Sequence, residues 1–582
     1  MERTIENILK EFTNILDIKN ISKSKHYKNH YFTYIYKFNI TGKNFIIPAV
    51  MGIPDDWDRS LISIYIENYQ EIDLIPHLEE DGHLCLFDLE GVIIDTFFKG
   101  VLFQTLTRLN KILDEGINRV NEIDFIDEFE DYWCRLPGCK NIKSFISVNR
   151  EMKLIKYSDN IKGAEKGKKE KYIDILIKRR GYYFVASDTE QDFKLLKNIN
   201  MIRNGLYISI DSNDYIFPPD WRKKLDISFI NTLVNHISID QALIKEKIRK
   251  CKSDLFIIFS IKQPNSSTNL IGMFLRNVSV NYLDNQIALT LSSQAVPCHV
   301  RRCDSEYLIN RGGAITVFGG KKILVIGCGS IGGYLIEQLV KIGFNDITVI
   351  DDDLLTEDNI YRHLLGFEYI SEFKSKAISD YIEKNIPKVK IRCMYERIEA
   401  LVLDESIVLR DFDLIVSTVG NHNVNRWINN YVFENNVQTP IVYLWNEVLG
   451  IGNHVAFIST AFTGCYDCFI RRGEDSLYDA TSYCEKGQVF NRKYAGCNSS
   501  FMPYGATHSQ KSVQLGIKVI TDFFKNRLDH SFIMSLKGDD LLFKQAGFVT
   551  SSRYNTQKEY VNLIKGDIFK KDGCFCQKNG GV

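Results

Sequence analysis

Hydrophobic and polar positions alternate along the first part of the chain. Between residues 31 and 66, runs such as HYFTYIYKFNI and SLISIYIEN alternate aromatic and aliphatic residues with polar ones, which is the period of a half-buried strand. The period then changes within residues 100–115, where leucines recur at helical spacing, at Leu102, Leu106, Leu109 and Leu113. The pattern predicts a strand meander and an amphipathic helix, which together form one α+β domain over residues 1–145.

The pattern changes twice more along the chain. Residues 162–171 (KGAEKGKKEK) contain no apolar side chain larger than that of Ala164, which favours a solvated linker over the alternative of a basic docking site. Strand-like runs continue to about residue 300 without a motif that carries chemistry, so residues 146–305 are predicted to be a linker and a structural middle domain. From residue 306 a strand, a glycine turn and a helix recur, which indicates a parallel sheet in a domain over residues 306–582. The predicted fold class is therefore a multidomain α/β protein.

Composition narrows the possible partners. The 582 residues are 45% hydrophobic and 25% charged, ordinary values for globular domains. The 73 basic residues equal the 73 acidic ones, so broad attraction to nucleic acid or to a membrane surface is not expected. The N-terminal residues lack the apolar core of a signal peptide and no apolar stretch is long enough to span a bilayer, so we expect a cytoplasmic protein. Its 14 cysteines then indicate thiols, metal ligands or catalysis rather than a disulfide framework.

A glycine motif indicates a nucleotide site. The strand predicted over residues 322–326 runs directly into Gly327, Gly329 and Gly332, a helix follows, and the next strand ends at Asp351. In this context the glycines allow backbone N–H groups and a helix N-terminus to face a phosphate, while the carboxylate reaches a ribose hydroxyl. The alternative is a purely structural glycine turn.

The residues after Asp351 favour ATP over NAD. The stretch DDDLLTEDNIYRHLLG, followed by FKSKA, offers Asn359, Arg362 and Lys376, and adenylation needs cations to neutralise the charge that builds on the α-phosphate. In order and spacing these residues resemble the Asp-x-Asp, Asn-x-x-Arg and Lys-Ala pattern of ThiF/MoeB-type adenylyltransferases and ubiquitin-activating enzymes. The resemblance implies that Arg362 and Lys376 are catalytic, and each could otherwise be an ordinary surface charge.

One position departs from that family. Where the family has Cys-Thr-Asp-Asn, this chain reads Ser-Thr-Val-Gly420-Asn421, so the usual magnesium-binding aspartate is missing. The resemblance implies that Asp353 and Asn421 belong to the nucleotide site. Either Asp353 or another carboxylate then holds Mg²⁺, or catalysis is impaired. It also implies a homodimer in which the partner supplies an arginine, for which Arg302 and Arg311 are candidates.

Four cysteines near the C-terminus suggest a structural zinc ion. Cys465 and Cys468 form one pair, and Cys574 and Cys576 form another near the end of the chain. Four thiolates around a tetrahedral ion would join the tail to the domain, and ThiF-type proteins carry such a zinc between two Cys-x-x-Cys pairs. Buried, inert thiols are the alternative.

Two further cysteines are candidates for an acyl carrier in this domain. Cys497 lies in GCNSSFMPYGATHSQKSVQLGIKVI, just before a predicted helix, and a helix N-terminus lowers the pKa of a nearby thiol. The segment resembles the acceptor-cysteine segment of ubiquitin-activating enzymes, which implies that Cys497 forms the first thioester. Cys484, in TSYCEKG, is the alternative.

The N-terminal domain has its own candidate nucleophile. In LIPHLEEDGHLCLFDLEG, Pro76 and His77 precede Cys85 and the Gly82 turn lies between them. This order is similar to the active-site segment of ubiquitin-conjugating enzymes, although Pro-His replaces His-Pro and the usual asparagine is absent. The resemblance implies that Cys85 is catalytic, whereas a buried strand cysteine is the alternative.

A conjugating-like domain followed by a ThiF-type domain resembles the fusion proteins of CBASS antiphage operons. The resemblance implies that the substrate is the C-terminus of a cGAS-like nucleotidyltransferase, which is activated with ATP, carried on Cys497 and then on Cys85, and joined to an amine of a target protein. Two other classes stay open, an NAD-dependent oxidoreductase and a non-catalytic scaffold that uses both domains to bind partners.

Overall fold

The chain forms two compact units, residues 1–303 and residues 304–582. The structure is a computed structural model. It describes residues 2–23, 25–87, 94–158, 160–161, 182–187, 199–200, 202–236, 246, 255–275, 278–283, 286–291, 295–386, 389–474, 476–490, 492–493, 500–501 and 503–577.

The first unit begins with a small α+β part. Its elements are α1 (Glu2–Glu11), β1 (Ile15–Asn20), β2 (His26–Tyr27), β3 (His30–Tyr31), β4 (Tyr34–Thr41), β5 (Ile46–Ile53), β6 (Ser63–Ile66) and α2 (Phe98–Ile117). Strands β1, β4, β5 and β6 form an antiparallel sheet in that order, and β2 pairs with β3. The predicted meander and helix are therefore confirmed within a few residues.

Helix α2 packs on this sheet through one apolar face. Leu102, Leu106, Leu109 and Leu113 are fully buried because residues three and four apart share a helix face. They meet inward-facing strand residues such as Phe38 in a single core. The period of the leucines thus predicted both the helix and the face that it buries.

The rest of the first unit is a closed seven-stranded barrel. Its strands follow the order β10-β7-β17-β14-β13-β12-β8. The elements of this part are α3 (Asp124–Asp127), α4 (Phe129–Cys134), β7 (Lys140–Ser144), β8 (Lys153–Ser158), β9 (Asn160–Ile161), β10 (Tyr182–Ser187), β11 (Ile199–Asn200), β12 (Arg203–Asp211), α5 (Ile227–Asn235), β13 (Leu255–Lys262), β14 (Thr268–Leu275), β15 (Val278–Leu283), β16 (Gln286–Leu291) and β17 (Val296–Arg302).

The burial of strand β13 explains why the sequence of this part contains continuous apolar runs. Ile257 and Phe259 enter one buried cluster with Trp133, whereas Phe256 and Ile258 enter another with Tyr157. Both faces of the strand are buried, so no polar residue is needed at alternate positions.

The barrel contains strands from both sides of the boundary placed at residue 145, and that boundary stays a prediction. Strand β7 lies before residue 145, where we placed the end of the first domain, and it pairs with β10 and β17. A five-residue strand whose partners lie more than 35 residues away carries no local signal of the domain to which it belongs.

The second unit is an eight-stranded sheet covered by helices. Its elements are α6 (Ser305–Arg311), β18 (Lys322–Ile326), α7 (Gly332–Lys341), β19 (Asp346–Ile350), α8 (Lys374–Asn385), β20 (Lys390–Met394), α9 (Ile398–Leu403), β21 (Leu414–Ser417), α10 (His422–Glu434), β22 (Ile441–Asn446), β23 (Gly452–Ile458), β24 (Ile470–Arg472), β25 (Leu477–Asp479), β26 (Arg492–Lys493), β27 (Ser500–Phe501), α11 (Ala506–Phe524), β28 (Phe532–Lys537), α12 (Leu541–Gln545), α13 (Ser552–Thr556), β29 (Val561–Lys565) and α14 (Gly566–Phe569).

The order of these strands creates a crevice at one edge of the sheet. The sheet runs β20-β19-β18-β21-β22-β23-β28-β29, and its first five strands are parallel. The chain order reverses between β18 and β21, and ligands of such sheets bind where the carboxyl ends of the strands meet this reversal. The predicted parallel α/β domain is confirmed. None of the helices in the described ranges is long and apolar enough to cross a membrane.

Candidate functional site

The glycine turn after β18 lies at this crevice, and its three glycines have different tasks. Gly327 has a φ of +92° and donates its N–H to the Ile350 carbonyl, whereas a Cβ on Gly332 would lie 2.0 Å from the Gly327 carbonyl oxygen. Gly329 has open space beside it, so a ligand can approach its backbone. The Thr418 hydroxyl donates to the Gly327 carbonyl over 2.7 Å. This division of tasks is that of a dinucleotide or ATP turn.

The peptide groups of Cys328 are held on both sides. Asp351 accepts the Cys328 N–H over 2.6 Å, and the Nε2 of His363 donates to the Cys328 carbonyl over 2.6 Å. Burial lowers the pKa of His363 to about 4, so the imidazole is neutral and keeps this tautomer. Burial raises the pKa of Asp351 despite nearby Lys374. The acid and the imidazole therefore fix the turn in one conformation.

Arg362 faces the crevice with its charge available. Its guanidinium lies 5.5 Å from the centre of the Tyr504 ring, and in the described part of the chain it forms no salt bridge. The side-chain oxygen of Asn359 accepts hydrogen bonds from Thr356, which leaves the amide group to donate to a ligand. Both Asn359 and Arg362 line the crevice, and their roles as nucleotide ligands stay predictions.

The structure brings Lys374, not Lys376, into the crevice. Lys374 lines it, with Nζ 2.7 Å from an oxygen of Asp353 and a side chain that is only 11% exposed. Lys376 instead pairs with Asp380 on the same helix and is 42% exposed. Two residues along a helix differ by about 200° around its axis, so these lysines face different surroundings. The geometry does not support the predicted role of Lys376.

The crevice has a volume of about 490 Å³. Asn421 lines it, and its side-chain oxygen caps α10 by accepting the N–H of Asn423. Gly420 has a φ of +65° with open space around it. Besides Asp351 and Asp353, other carboxylates line the crevice, namely Asp352, Glu396 and Glu399.

The two arginines considered for a partner's site lie in different units. Arg302 is the last residue of β17, and Arg311 is exposed in the last turn of α6. Neither is among the described residues that line the crevice, and a role across a dimer stays a prediction.

The four C-terminal cysteines come together on the opposite face of the sheet from α7. Cys465 and Cys468 lie 3.8 Å apart between sulfurs, Cys465 and Cys574 3.6 Å, and Cys468 and Cys576 3.7 Å. Four sulfurs at about 2.3 Å from a tetrahedral zinc lie about 3.8 Å from one another, so the cluster fits this ion. The Lys571 N–H points at the Cys468 sulfur over 3.4 Å. The hydrogen bond from Cys465 lowers the pKa of Cys468, which favours a thiolate.

The two candidate acyl carriers of this unit differ in what the structure says of them. Cys497 lies outside the described residues. Cys484 is buried, and burial, followed by the charge of Glu447, raises the pKa of its thiol. A thiol with a raised pKa is a poor nucleophile at neutral pH, so its surroundings disfavour Cys484.

Cys85 lies in a loop rather than in a strand. It is half-buried, and its sulfur is 3.7 Å from the Phe87 carbonyl. Its N–H donates to the His77 carbonyl, and Arg108 of α2 donates to the Leu86 carbonyl over 3.0 Å. The sulfur is thus presented by a backbone that is held on both sides, unlike a buried strand cysteine.

A polar cluster holds His77 beside this loop. The His77 ring contacts Glu128 over 2.9 Å and Asp124 over 3.1 Å, and the Tyr132 hydroxyl accepts the His77 N–H over 2.8 Å while it donates to Glu128. His77 has a φ of +66°, which is uncommon for a residue other than glycine. The cluster stabilises this strained backbone, which in turn accepts the N–H of Cys85.

This cluster predicts a pH dependence. The hydrogen bond between Glu128 and His77 raises the pKa of His77. Burial acts to raise the pKa of Glu128, but the same bond lowers that pKa. The stability that His77 contributes is complete below its unfolded pKa of 6.5 and is lost at higher pH. The stability that Glu128 contributes is lost as the pH falls below its unfolded pKa of 4.5. We expect hydrogen exchange across residues 75–87, corrected for intrinsic rates, to quicken severalfold between pH 6 and pH 8.

A Glu128→Gln variant checks that prediction. It should show little of this pH dependence, whereas Glu79→Gln, which faces His83 over 3.2 Å, should keep it. An unchanged profile in Glu128→Gln would show that another group titrates.

Two family profiles match the chain. The ThiF family matches residues 318–521, which include the glycine turn and Arg362. The prokaryotic E2 family B matches residues 12–140, which include Cys85. The chain contains a ThiF domain and a prokaryotic E2 domain. The resemblance predicted from the motifs is therefore confirmed for both domains.

Two curated relatives match part of the chain. The ATP-dependent ubiquitin transferase-like protein Cap2 of Pseudomonas aeruginosa (strain BWHPSA011 / Pa011) is 28% identical over 291 residues, 48% of this chain and 50% of that protein. The protein of the same name from Escherichia coli (strain TW11681) is 24% identical over 494 residues, 76% of this chain and 79% of that protein. The match to the Pseudomonas relative thus spans half of that protein's length. Among solved structures, Escherichia coli MccB with ATP is 17% identical, with 40% of this chain and 63% of that chain covered and a TM-score of 0.31.

Sequence reasoning missed several residues of the ThiF domain's crevice. His363 follows Arg362 directly, yet an apolar neighbourhood gives no hint that it holds a glycine turn. Lys374 stands at the first position of α8. A prediction of where that helix begins would have placed Lys374 and Lys376 on different faces of it. Tyr504 reaches the crevice from a distant segment, for which the sequence has no signal.

Proposed function

We propose that this chain is an ATP-dependent protein ligase whose ThiF domain adenylates the C-terminal carboxylate of another protein. The observation that carries the proposal is a pair of cations, Arg362 and Lys374, in the crevice beside an open glycine turn. A hydride-transferring enzyme has no need for two cations beside the phosphates, whereas adenylation does.

In the first step a carboxylate oxygen attacks the α-phosphorus of ATP. The bond from that phosphorus to the bridging oxygen breaks, pyrophosphate leaves, and a mixed anhydride with AMP forms. Negative charge builds on the α-phosphate as this happens, and Arg362 and Lys374 stabilise it. Asp351 and Asn359 bind the ribose and phosphates, and the N-terminus of α7 faces the same anion.

Carboxylates of the crevice would hold a magnesium ion, which would supply charge neutralisation at the phosphates. The donor set suits it, because oxygen ligands from carboxylates are those that Mg²⁺ prefers. Gly420 supplies no ligand, so we assign this task to Asp353, whose carboxylate is 71% exposed beside Lys374.

Two cysteines then carry the acyl group. The Cys497 thiolate attacks the anhydride carbonyl, AMP leaves, and a thioester forms. The Cys85 thiolate attacks that thioester and releases Cys497 as thiolate. An amine of the target finally attacks the thioester on Cys85, which forms an amide, loses a proton and frees the thiol. The fusion of both domains raises the effective concentration of one thiol for the other.

Covalent geometry supports Cys497 as the first carrier. Tyr504 lines the crevice and follows Cys497 by seven residues in the sequence. Seven residues span at most about 25 Å when fully extended, so the chain tethers this thiol to the wall of the crevice. The raised pKa of Cys484 supports the same choice.

The substrate that we propose is the C-terminus of a cGAS-like nucleotidyltransferase, and the product is its amide with a target protein. The family resemblance supports this choice, and two relatives are named as ubiquitin transferase-like proteins. A second copy of the chain completes the proposal, since Arg311 is exposed and could serve a partner's crevice.

The order of the thioesters tests this function. The chain, Mg²⁺-ATP and the co-encoded nucleotidyltransferase are mixed and separated on a non-reducing gel. We expect Cys85→Ala to retain a thiol-sensitive adduct on the ThiF domain and to form no amide product, while Cys497→Ala forms no adduct at all. Cys393→Ser, a change outside both proposed carriers, should behave as the unmodified chain. Charging of Cys85 in the Cys497→Ala chain would show that the order is wrong.

A further inference from the structure

Tyr504 contacts two groups at the phosphate side of the crevice. Its hydroxyl lies 3.0 Å from the Ser330 hydroxyl within the glycine turn, and its ring lies 5.5 Å from the Arg362 guanidinium. One side chain thus touches both the turn that faces the phosphates and a cation that we assign to them. Among the described residues, no other tyrosine and no phenylalanine or tryptophan lines the crevice.

The backbone on both sides of Tyr504 is anchored. The Pro503 carbonyl accepts the Leu449 N–H over 2.6 Å, and the Gly505 N–H donates to Nδ1 of His508 over 3.1 Å. A side chain between two such anchors loses little further freedom when it contacts the crevice. Its direction is therefore set by the fold before a ligand binds.

The first anchor has a conformational cost. Leu449 has a φ of +52°, a left-handed conformation that is unfavourable for a residue other than glycine. Gly450 follows with a φ of +71°, and a Cβ there would lie 2.1 Å from the His508 ring. Backbone strain of this kind clusters at functional positions, and here it lies in the turn that donates to the Pro503 carbonyl beside Tyr504.

We propose that Tyr504 is a positioning residue of the adenylation site, a proposal that rests on the function given above. Its ring holds the Arg362 guanidinium over the crevice, and its hydroxyl orients Ser330 and with it the glycine turn. Arg362 has no carboxylate partner in the described ranges, so without the ring it would be free to turn toward solvent. Tyr504 thereby lowers the entropy that ATP binding has to remove.

ATP affinity of the full chain tests the proposal. Isothermal titration of Mg²⁺-ATP should give a Kd about 3- to 10-fold weaker in Tyr504→Phe, which loses one hydrogen bond, and about 10- to 30-fold weaker in Tyr504→Leu, which also loses the ring over Arg362. The KM for ATP in pyrophosphate exchange should rise by the same factors. Tyr560→Phe, at a tyrosine that is 61% exposed, is the matched control and should bind as the unmodified chain does.

A double variant shows whether the effect passes through Ser330. Ser330→Ala should weaken ATP binding, and adding Tyr504→Phe to it should cause no further loss. Unchanged binding in both Tyr504 variants, or tighter binding in Tyr504→Leu as expected if the ring merely blocks the crevice, would overturn the proposal. If the unmodified chain itself fails to bind ATP, the proposed function falls and the positioning role falls with it.

Discussion

Lys374→Ala should slow protein-dependent ATP–pyrophosphate exchange by about 100-fold or more, whereas Lys376→Ala should leave it within about twofold. Removing one preorganised charge that faces a developing anion costs about 100- to 1,000-fold in other enzymes. Lys374 is placed for this role because its side chain is only 11% exposed and lines the crevice. The exchange rate at saturating ATP and KM for ATP measure the effect.

Lys376→Ala is the matched control for Lys374→Ala. The two side chains are chemically identical and two positions apart, so general effects of removing a positive charge from α8 are the same in both. An unchanged melting temperature in Lys374→Ala would show that the loss of exchange is not a folding defect. We expect the melting temperature to be unchanged, since the partner Asp353 is 71% exposed and ion pairs that solvent screens add little stability. A loss in Lys376→Ala but not in Lys374→Ala would restore the prediction from the sequence.

The elements around the nucleotide site could be predicted because their signals are local. Strand β18, the three glycines and Asp351 follow one another within about thirty residues, and each glycine is required by a backbone conformation or a close approach. The leucines of α2 are similar, since a repeat of three and four residues fixes both the helix and its buried face.

The parts that escaped prediction depend on residues that are distant in sequence. Tyr504 and Ser330 are 174 residues apart, and no pattern in either segment anticipates their contact. The barrel closes through pairs such as β7 with β17, whose registers join Lys140 to Cys298. Strands β13 and β14 are buried on both faces, so the residue pattern shows that they are buried but not which strand lies beside which.

The barrel also has a connection to the E2 domain that the sequence did not suggest. Arg222 donates to the backbone carbonyls of Tyr69 and Ile72 just before the Cys85 loop. Helix α4 carries Tyr132 toward His77 and the adjacent Trp133 into the barrel, where the indole N–H donates to the Gly272 and Cys298 carbonyls. Through these hydrogen bonds, described residues of the middle part support the segments beside the loop that presents the proposed nucleophile.

Loss of one thiolate from the cysteine cluster should have the largest effect on stability. A structural zinc site contributes about 10–16 kcal/mol of apparent binding free energy, comparable with the whole stability of a domain, about 5–15 kcal/mol. We therefore expect Cys468→Ser to purify with far less than one zinc per chain, and the ThiF domain to melt more than about 10 °C lower. Chelator treatment of the unmodified chain should produce the same shift.

The second cysteine pair separates the effect on the tail from that on the domain. Cys576 lies close to the end of the chain, so Cys576→Ser should first expose residues 570–577 to protease and only then lower the melting temperature. Cys393→Ser is the matched control, because Cys393 is half-buried in the same unit and lies outside the cluster, with its sulfur 3.3 Å from the Tyr395 hydroxyl. Full zinc content in Cys468→Ser would show that these four thiols do not hold a structural ion, and so would a melting temperature of the unmodified chain that does not change with chelator. The four sulfurs at 3.6–3.8 Å would then be merely packed together.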